Sequence, residues 1–229
     1  MKIIPKISPN QNERKNSIKP FMLILHYTGT TAKQADAIYM TPDKVSPHYM
    51  IDEDATITRY VEEDKRSWHA GLASWAGCND INSVSIGIEV VNGGHDAGLP
   101  EFSDIQIAGL IELIRNIRSR WDIADHNILG HSDIAPGRKI DPGEKFPWHA
   151  LGEAGIGLMP KLGHLSGEVD TPHELFSALK RWGYDYTDDF ELMVTEFRRH
   201  YLPETFGQSI EDGELYAAIN SLIEQKKLL

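Results

Sequence analysis

Ser83-Val84-Ser85-Ile86-Gly87-Ile88-Glu89-Val90-Val91 alternates the apolar Val84, Ile86, Ile88 and Val90 with the small or polar Ser85, Gly87 and Glu89. A period of two marks a strand with two unlike faces, and Asn92-Gly93-Gly94 ends it. Ser103-Asp104-Ile105-Gln106 follows with the spacing of a capping box. Ile107, Leu110, Ile111, Ile114, Ile117 and Trp121 then recur at helical spacing, which predicts an amphipathic helix to about Trp121. The same grammar repeats on both sides. Residues 23–26 read as a buried strand stopped by Thr28-Gly29-Thr30, with a helix capped by Thr30 or Thr31 running to about Met40. Residues 48–51 and 56–61 flank Asp52-Glu53-Asp54-Ala55 as a hairpin, and residues 128–131 are again strand-like. This alternation predicts an α/β fold, a mixed central sheet flanked by helices.

The texture changes after Trp148. Residues 152–172 are rich in Gly and Pro and read as a linker. Residues 174–182, 189–200 and 211–226 carry short helical patterns, with Gly183 placed to end the first. The expected organisation is a main domain over residues 1–155, a linker over 156–172 and a small three-helix domain over 173–229.

Composition narrows the function. With 23 Lys and Arg against 34 Asp and Glu the net charge is −11, which repels nucleic acid and anionic membranes. The single cysteine, Cys78, excludes an internal disulfide and a multi-cysteine metal site. Residues 1–16 are polar and lack the apolar core of a secretory leader, and no run reaches the length of a membrane span. The expectation is a soluble cytoplasmic protein, monomeric by preference, with a periplasmic or cell-envelope location as the alternative if a leader is missing.

The chemistry concentrates in His131-Ser132-Asp133-Ile134-Ala135-Pro136-Gly137-Arg138-Lys139-Ile140-Asp141-Pro142-Gly143. This stretch sets an imidazole, an ammonium and a carboxylate in one loop, and His26 ends a second apolar run far upstream. Two His and one Asp suit a catalytic zinc with its fourth position left for water. Alone, Asp141 would read as a turn former and either His as structural. Glu89 is an acid in an otherwise apolar strand, costly to bury unless paired. It reads either as a solvent-facing position or as a general base. Lys139 could stabilise an oxyanion, while Arg138 reads as a surface residue. His48 is expected near the cleft, and His69 as a substrate contact with Trp68 offering a flat face. His126, His149, His164, His173 and His200 read as surface groups, and Cys78 as a small buried or half-exposed side chain.

Five ordered blocks carry a resemblance: Leu25-His26-Tyr27-Thr28, Ser46-Pro47-His48-Tyr49, Trp68-His69-Ala70-Gly71, the segment from Ile81 to Glu89, and the loop beginning at Gly130-His131. Together they resemble the zinc-dependent N-acetylmuramoyl-L-alanine amidases of the type-2 fold, shared with peptidoglycan-recognition proteins and phage T7-type lysozyme. Ser8-Pro9-Asn10-Gln11-Asn12-Glu13-Arg14 looks like the lead-in of the amidase D branch. The tail resembles, more loosely, a peptidoglycan-binding domain. The resemblance implies zinc on His26, His131 and Asp141, with Glu89 and Lys139 as the catalytic pair. His48, Trp68, His69 and Asn82 are then expected as substrate contacts. It also implies hydrolysis of the amide between the lactyl group of N-acetylmuramic acid, including its 1,6-anhydro form, and L-alanine of the stem peptide. The expected partners are thus peptidoglycan or anhydro-muropeptide. The alternatives are a module that recognises peptidoglycan without cutting it, and a zinc peptidase, for which no His-Glu-x-x-His pattern exists in the chain.

Overall fold

The computed structural model describes residues 2–161 and 172–228. Its strands are Ile3–Pro5 (β1), Gln11–Glu13 (β2), Met22–Tyr27 (β3), Tyr49–Ile51 (β4), Ile57–Arg59 (β5), Lys65–Ser67 (β6), Ser85–Val90 (β7) and Ile128–Gly130 (β8). Its α-helices are Ala32–Tyr39 (α1), Ile81–Val84 (α2), Asp104–Arg118 (α3), His131–Ile134 (α4), Trp148–Glu153 (α5), Pro172–Trp182 (α6), Phe190–Tyr201 (α7) and Asp212–Lys227 (α8). The fold is mixed α/β. Six strands form the main sheet in the order β1-β5-β4-β7-β3-β8, and β2 pairs with β6 alone. Only the hairpin neighbours β4 and β5 of the main sheet run antiparallel.

Alternation along β3 and β7 sends unlike side chains to the two faces. Leu23, Leu25, Ile86, Ile88 and Val90 pack with Ile107, Leu110, Leu113, Ile114 and Ile117 of α3 in one core. Each such fully buried aliphatic side chain contributes about 1.5–3 kcal/mol. Met22 and Ile24 face the other way, into a core completed by Leu175, Leu179 and Trp182 of α6 and Met193 and Phe197 of α7. His26 continues this second series along β3, so the face that carries the C-terminal helices also carries the candidate site.

Several boundaries differ from the periodicity. The strand expected from Ser83 begins at Ser85, because residues 81–84 form one helical turn and Ser85 Oγ donates to the Ile81 carbonyl at 2.6 Å. Thr31 and Gln34 make a full capping box on α1. On α3 only half of one forms. Ser103 Oγ accepts from Gln106 N, but the Gln106 amide instead donates to the carbonyls of Ile51 and Val91. The Ile51 carbonyl already holds the Val91 N–H, so it is the Val91 carbonyl that gains its donor here, and that need outweighs the cap. The lead-in is also built in. Asn10 Nδ2 donates to the carbonyls of Tyr39 and Thr41, and the Arg14 guanidinium to those of Glu63, Ser83 and Ser85. Most of the expected linker, residues 162–171, lies outside the described residues, as does His164. Among the described residues no helix is long and apolar enough to cross a membrane.

Candidate metal centre

Parallel pairing brings the ends of β3, β7 and β8 to one edge, and the segments that follow them carry the polar groups. His26 is near the end of β3, Glu89 lies opposite it in register on β7, and His131 opens α4 directly after β8. Nδ1 of His26 lies 2.9 Å from Nδ1 of His131, and each is 3.0 Å from Oδ2 of Asp141. The three residues are buried and could hold a metal ion. Four ligands around zinc at ordinary bond lengths are about 3.3 Å apart, so the observed triangle needs only a slight opening to seat one.

The hydrogen bonds behind the triangle decide its chemistry. Ser85 Oγ gives its proton to the Ile81 carbonyl, so it accepts from His69 Nε2–H at 3.1 Å. His69 Nδ1 is therefore unprotonated and accepts from His26 Nε2–H at 2.9 Å. His131 Nε2–H donates to the Ala70 carbonyl at 2.9 Å. Both rings thus turn Nδ1 inward, toward a carboxylate oxygen, and bond outward through Nε2–H. Two imidazole Nδ1 atoms and a carboxylate oxygen converging within 3.0 Å suit a cation placed between them. The donor set therefore fits a metal.

The protonation preferences agree. Burial, with His131 nearby, pushes His26 down to about 4. Burial and then His26 and His48 hold His69 well below its usual range. Burial opposes ionisation of Asp141, but His131 and His26 override it and keep the group far below the usual carboxylate range. A fully shielded Oε2 of Glu89 has no hydrogen-bond partner among the described residues. Burial and the Asp141 charge push Glu89 well above its ordinary range, while Lys139 and Tyr39 act in the opposite sense.

A cavity of about 390 Å³ joins these groups. His26, His69, Glu89, His131, Lys139 and Asp141 all line it, with Tyr27 and Tyr39 on its walls. The turn carrying Lys139 is closed by the N–H groups of Arg138 and Lys139, which both donate to the Ala135 carbonyl at 3.0 Å.

Other expected contacts fall elsewhere. His48 is fully buried, because its Nδ1 accepts from Gly87 N–H at 3.0 Å and its Nε2–H donates to the Lys65 carbonyl at 3.1 Å. It does not line the cavity. Asn82 does not line it either. Its Oδ1 accepts the backbone N–H groups of His69 and Ala70, clamping the segment that orients both ligand rings. Trp68 donates from Nε1 to Asn12 Oδ1, away from the cavity. Arg138, read as a plain surface residue, lines the cavity and donates to the Ala70 carbonyl at 2.7 Å. His200, also read as a surface group, is 2% exposed. Its ring stacks 3.6 Å from Trp148, and its Nδ1–H donates to Asp133 at 2.7 Å. A buried carboxylate and an aromatic slot give this imidazole a better environment than water does. His149 and His173 are exposed and His126 is half-buried, as is Cys78. The reading of the sequence missed Tyr27, whose hydroxyl meets His95 Nδ1 at 3.0 Å, and Tyr39 beside Glu89. Tyr27 follows a ligand directly in the chain, which is the signal that points to it.

Two imidazoles and a carboxylate at the strand ends of a mixed sheet, with a half-buried glutamate and a lysine in the same cavity, define a class of proteins able to hold a single metal ion. Residues 16–144 match the N-acetylmuramoyl-L-alanine amidase family, Amidase_2, and the chain belongs to it. It is 34% identical over 230 residues to the N-acetylmuramoyl-L-alanine amidase AmiD of Escherichia coli (strain K12), covering 89% of this chain and 82% of that protein. It is 32% identical to the 1,6-anhydro-N-acetylmuramyl-L-alanine amidase AmpD of Enterobacter cloacae, covering 63% of this chain and 87% of that one. The E. coli AmiD structure in complex with the substrate anhydro-N-acetylmuramic acid-L-Ala-D-gamma-Glu-L-Lys superposes with a TM-score of 0.82 at 32% identity, covering 93% of each chain.

Proposed function

We propose that this chain hydrolyses the amide joining the lactyl group of N-acetylmuramic acid, including its 1,6-anhydro form, to L-alanine of the peptidoglycan stem peptide. The observation that carries the reading is the inward-facing triangle of two Nδ1 atoms and a carboxylate oxygen on His26, His131 and Asp141, next to a buried Glu89 Oε2 that has no hydrogen-bond partner among the described residues. The complete ligand set favours catalysis over recognition alone. Residues 1–155 form the catalytic unit in this reading and residues 173–229 the helical one.

A zinc ion held by the three ligands would supply Lewis acidity toward water and the amide carbonyl. The protein's own groups do the rest. Glu89 takes the proton from the attacking water and returns it to the departing alanine nitrogen. Its shielded position suits that task, because a carboxylate raised above its ordinary range is the stronger base. Lys139 brings a positive charge to the carbonyl oxygen as it becomes an oxyanion. Ala70 and His69 keep the ligand rings in their metal-binding tautomer.

The test is to incubate the purified chain with an anhydro-muropeptide and with intact sacculi, with and without a chelator, and to weigh the products. Chelator-sensitive release of the intact stem peptide is expected. A shortened peptide would instead identify a peptidase, and unchanged substrate with zinc bound would identify a recognition module.

A further inference from the structure

The loop from His131 to Glu144 carries two of the three ligands, and the C-terminal helices hold it at its start, middle and end. At the start, Asp133 is fully buried two residues after His131. Its Oδ2 accepts Gly130 N–H at 2.7 Å and His200 Nδ1–H at 2.7 Å, and its Oδ1 accepts the Tyr184 hydroxyl at 2.6 Å. In the middle, the Leu192 side chain lies 2.7 Å from the point a Cβ on Gly137 would occupy. At the end, the Arg199 guanidinium pairs with Glu144. His200 cannot swing away, since its ring lies 3.6 Å from Trp148 and 3.7 Å from Tyr201 in near-parallel stacks.

Asp133 thus connects two parts of the molecule. It caps α4 through Gly130, and so fixes the rotation of the single turn on which His131 sits. It also satisfies two buried donors that belong to the tail. A buried carboxylate deprived of donors is left unsatisfied and shifts toward new ones, and that shift turns α4. We propose that Tyr184 and His200 are positioning residues of the metal centre, acting through Asp133 to aim His131 Nδ1 at the metal. The helical tail is, on this inference, a brace for the ligand loop. The inference rests on the reading of His26, His131 and Asp141 as ligands.

The test uses the full chain and reads metal binding apart from activity. Zinc affinity is measured by competition with a chromophoric chelator, and ligand geometry by the visible absorption of the cobalt(II)-substituted protein. His200→Ala is expected to weaken zinc on the order of tenfold, the lower end for groups supporting metal ligands, and to alter the cobalt bands. His200→Asn, which keeps an N–H near the Nδ1 position, is expected to restore most of the affinity. Leu222→Ala, a cavity in α8 that removes none of the Asp133 hydrogen bonds, serves as the comparator for general destabilisation and is expected to leave zinc affinity within about twofold. Should His200→Ala fail to fold, Tyr184→Phe removes a single hydroxyl and carries the same expectation. The proposal is overturned if the Asp133-contacting variants keep wild-type affinity and cobalt spectrum, or if Leu222→Ala weakens zinc equally. A wild-type chain that binds neither zinc nor cobalt would overturn the ligand assignment itself.

Discussion

His26 and Glu89 are Cα partners across β3 and β7, so their side chains emerge side by side on the same face of the sheet. The pairing makes the proposed metal ligand and the proposed base a rigid unit, because neither can shift without breaking the central parallel ladder. It also explains why an acid is tolerated in the middle of an apolar strand. The residues flanking Glu89, Ile88 and Val90, point into the opposite core, and the cavity takes the carboxylate.

Glu89→Gln keeps the shape and removes the basic oxygen. Turnover is expected to fall at least about 100-fold, the lower range for loss of a general base, with zinc content unchanged. Single-turnover assays together with elemental analysis check both halves.

Lys139→Ala is expected to lower turnover by about 100-fold as well. Metal binding should persist, since Lys139 is not among the three converging donors. Near-wild-type turnover would remove the oxyanion role.

Asp141→Ala should behave differently. Only two imidazoles remain, and zinc is expected to be lost during purification, with activity following metal content. A full equivalent of tightly bound zinc in this variant would count against the assignment.

Gly87 is required because His69 lies flat over it: a Cβ there would sit 2.4 Å from the imidazole. Gly87→Ala should displace His69 and break the bond that fixes the His26 tautomer. The expected cost is about 1–3 kcal/mol of stability and weaker zinc binding, read by thermal melts and chelator competition. Unchanged zinc affinity would show that the relay through His69 is dispensable.

His48 sets part of the pH dependence of stability. Burial, and then the Arg14 charge, push it down to about 3, so in the range below about 6.5 the unfolded chain takes up a proton that the folded chain refuses. Its contribution is therefore fully present above pH 6.5 and is lost as pH falls toward 3. The expected loss is about 2 kcal/mol between pH 6.5 and pH 5. Urea unfolding of wild type and His48→Gln at several pH values isolates it, because the variant should lack that part of the slope.

Much of the site was legible because its signals are local. An imidazole ending an apolar run and a His–Lys–Asp loop between Pro and Gly announce ligands at strand ends, and α3 is written in its own periodicity. His48, Asn82 and His200 were misread for a common reason. Each is polar, and from the sequence a polar side chain has no visible partner. Their partners, the Gly87 and His69 N–H groups and the Asp133 carboxylate, lie between 13 and 67 residues away. Tertiary contact alone decides whether such a group faces substrate or interior. The half-formed cap on α3 has the same origin, since the carbonyls that claim Gln106 belong to other elements.

The three proposed metal ligands are far apart in the chain: His26 stands 105 residues from His131 and 115 from Asp141. Only after β7 and β8 have been laid beside β3 do they meet, and such non-local parallel pairing is slow to form. A partly folded chain offers isolated imidazoles with little hold on an ion. Once closed, the fold gains stability from the same ion, by about 2.7 kcal/mol when free metal exceeds its dissociation constant 100-fold. The proposed hydrolytic site exists only while β8 stays paired with β3, so a chain that cuts a structural polymer would be silent whenever it is incompletely folded.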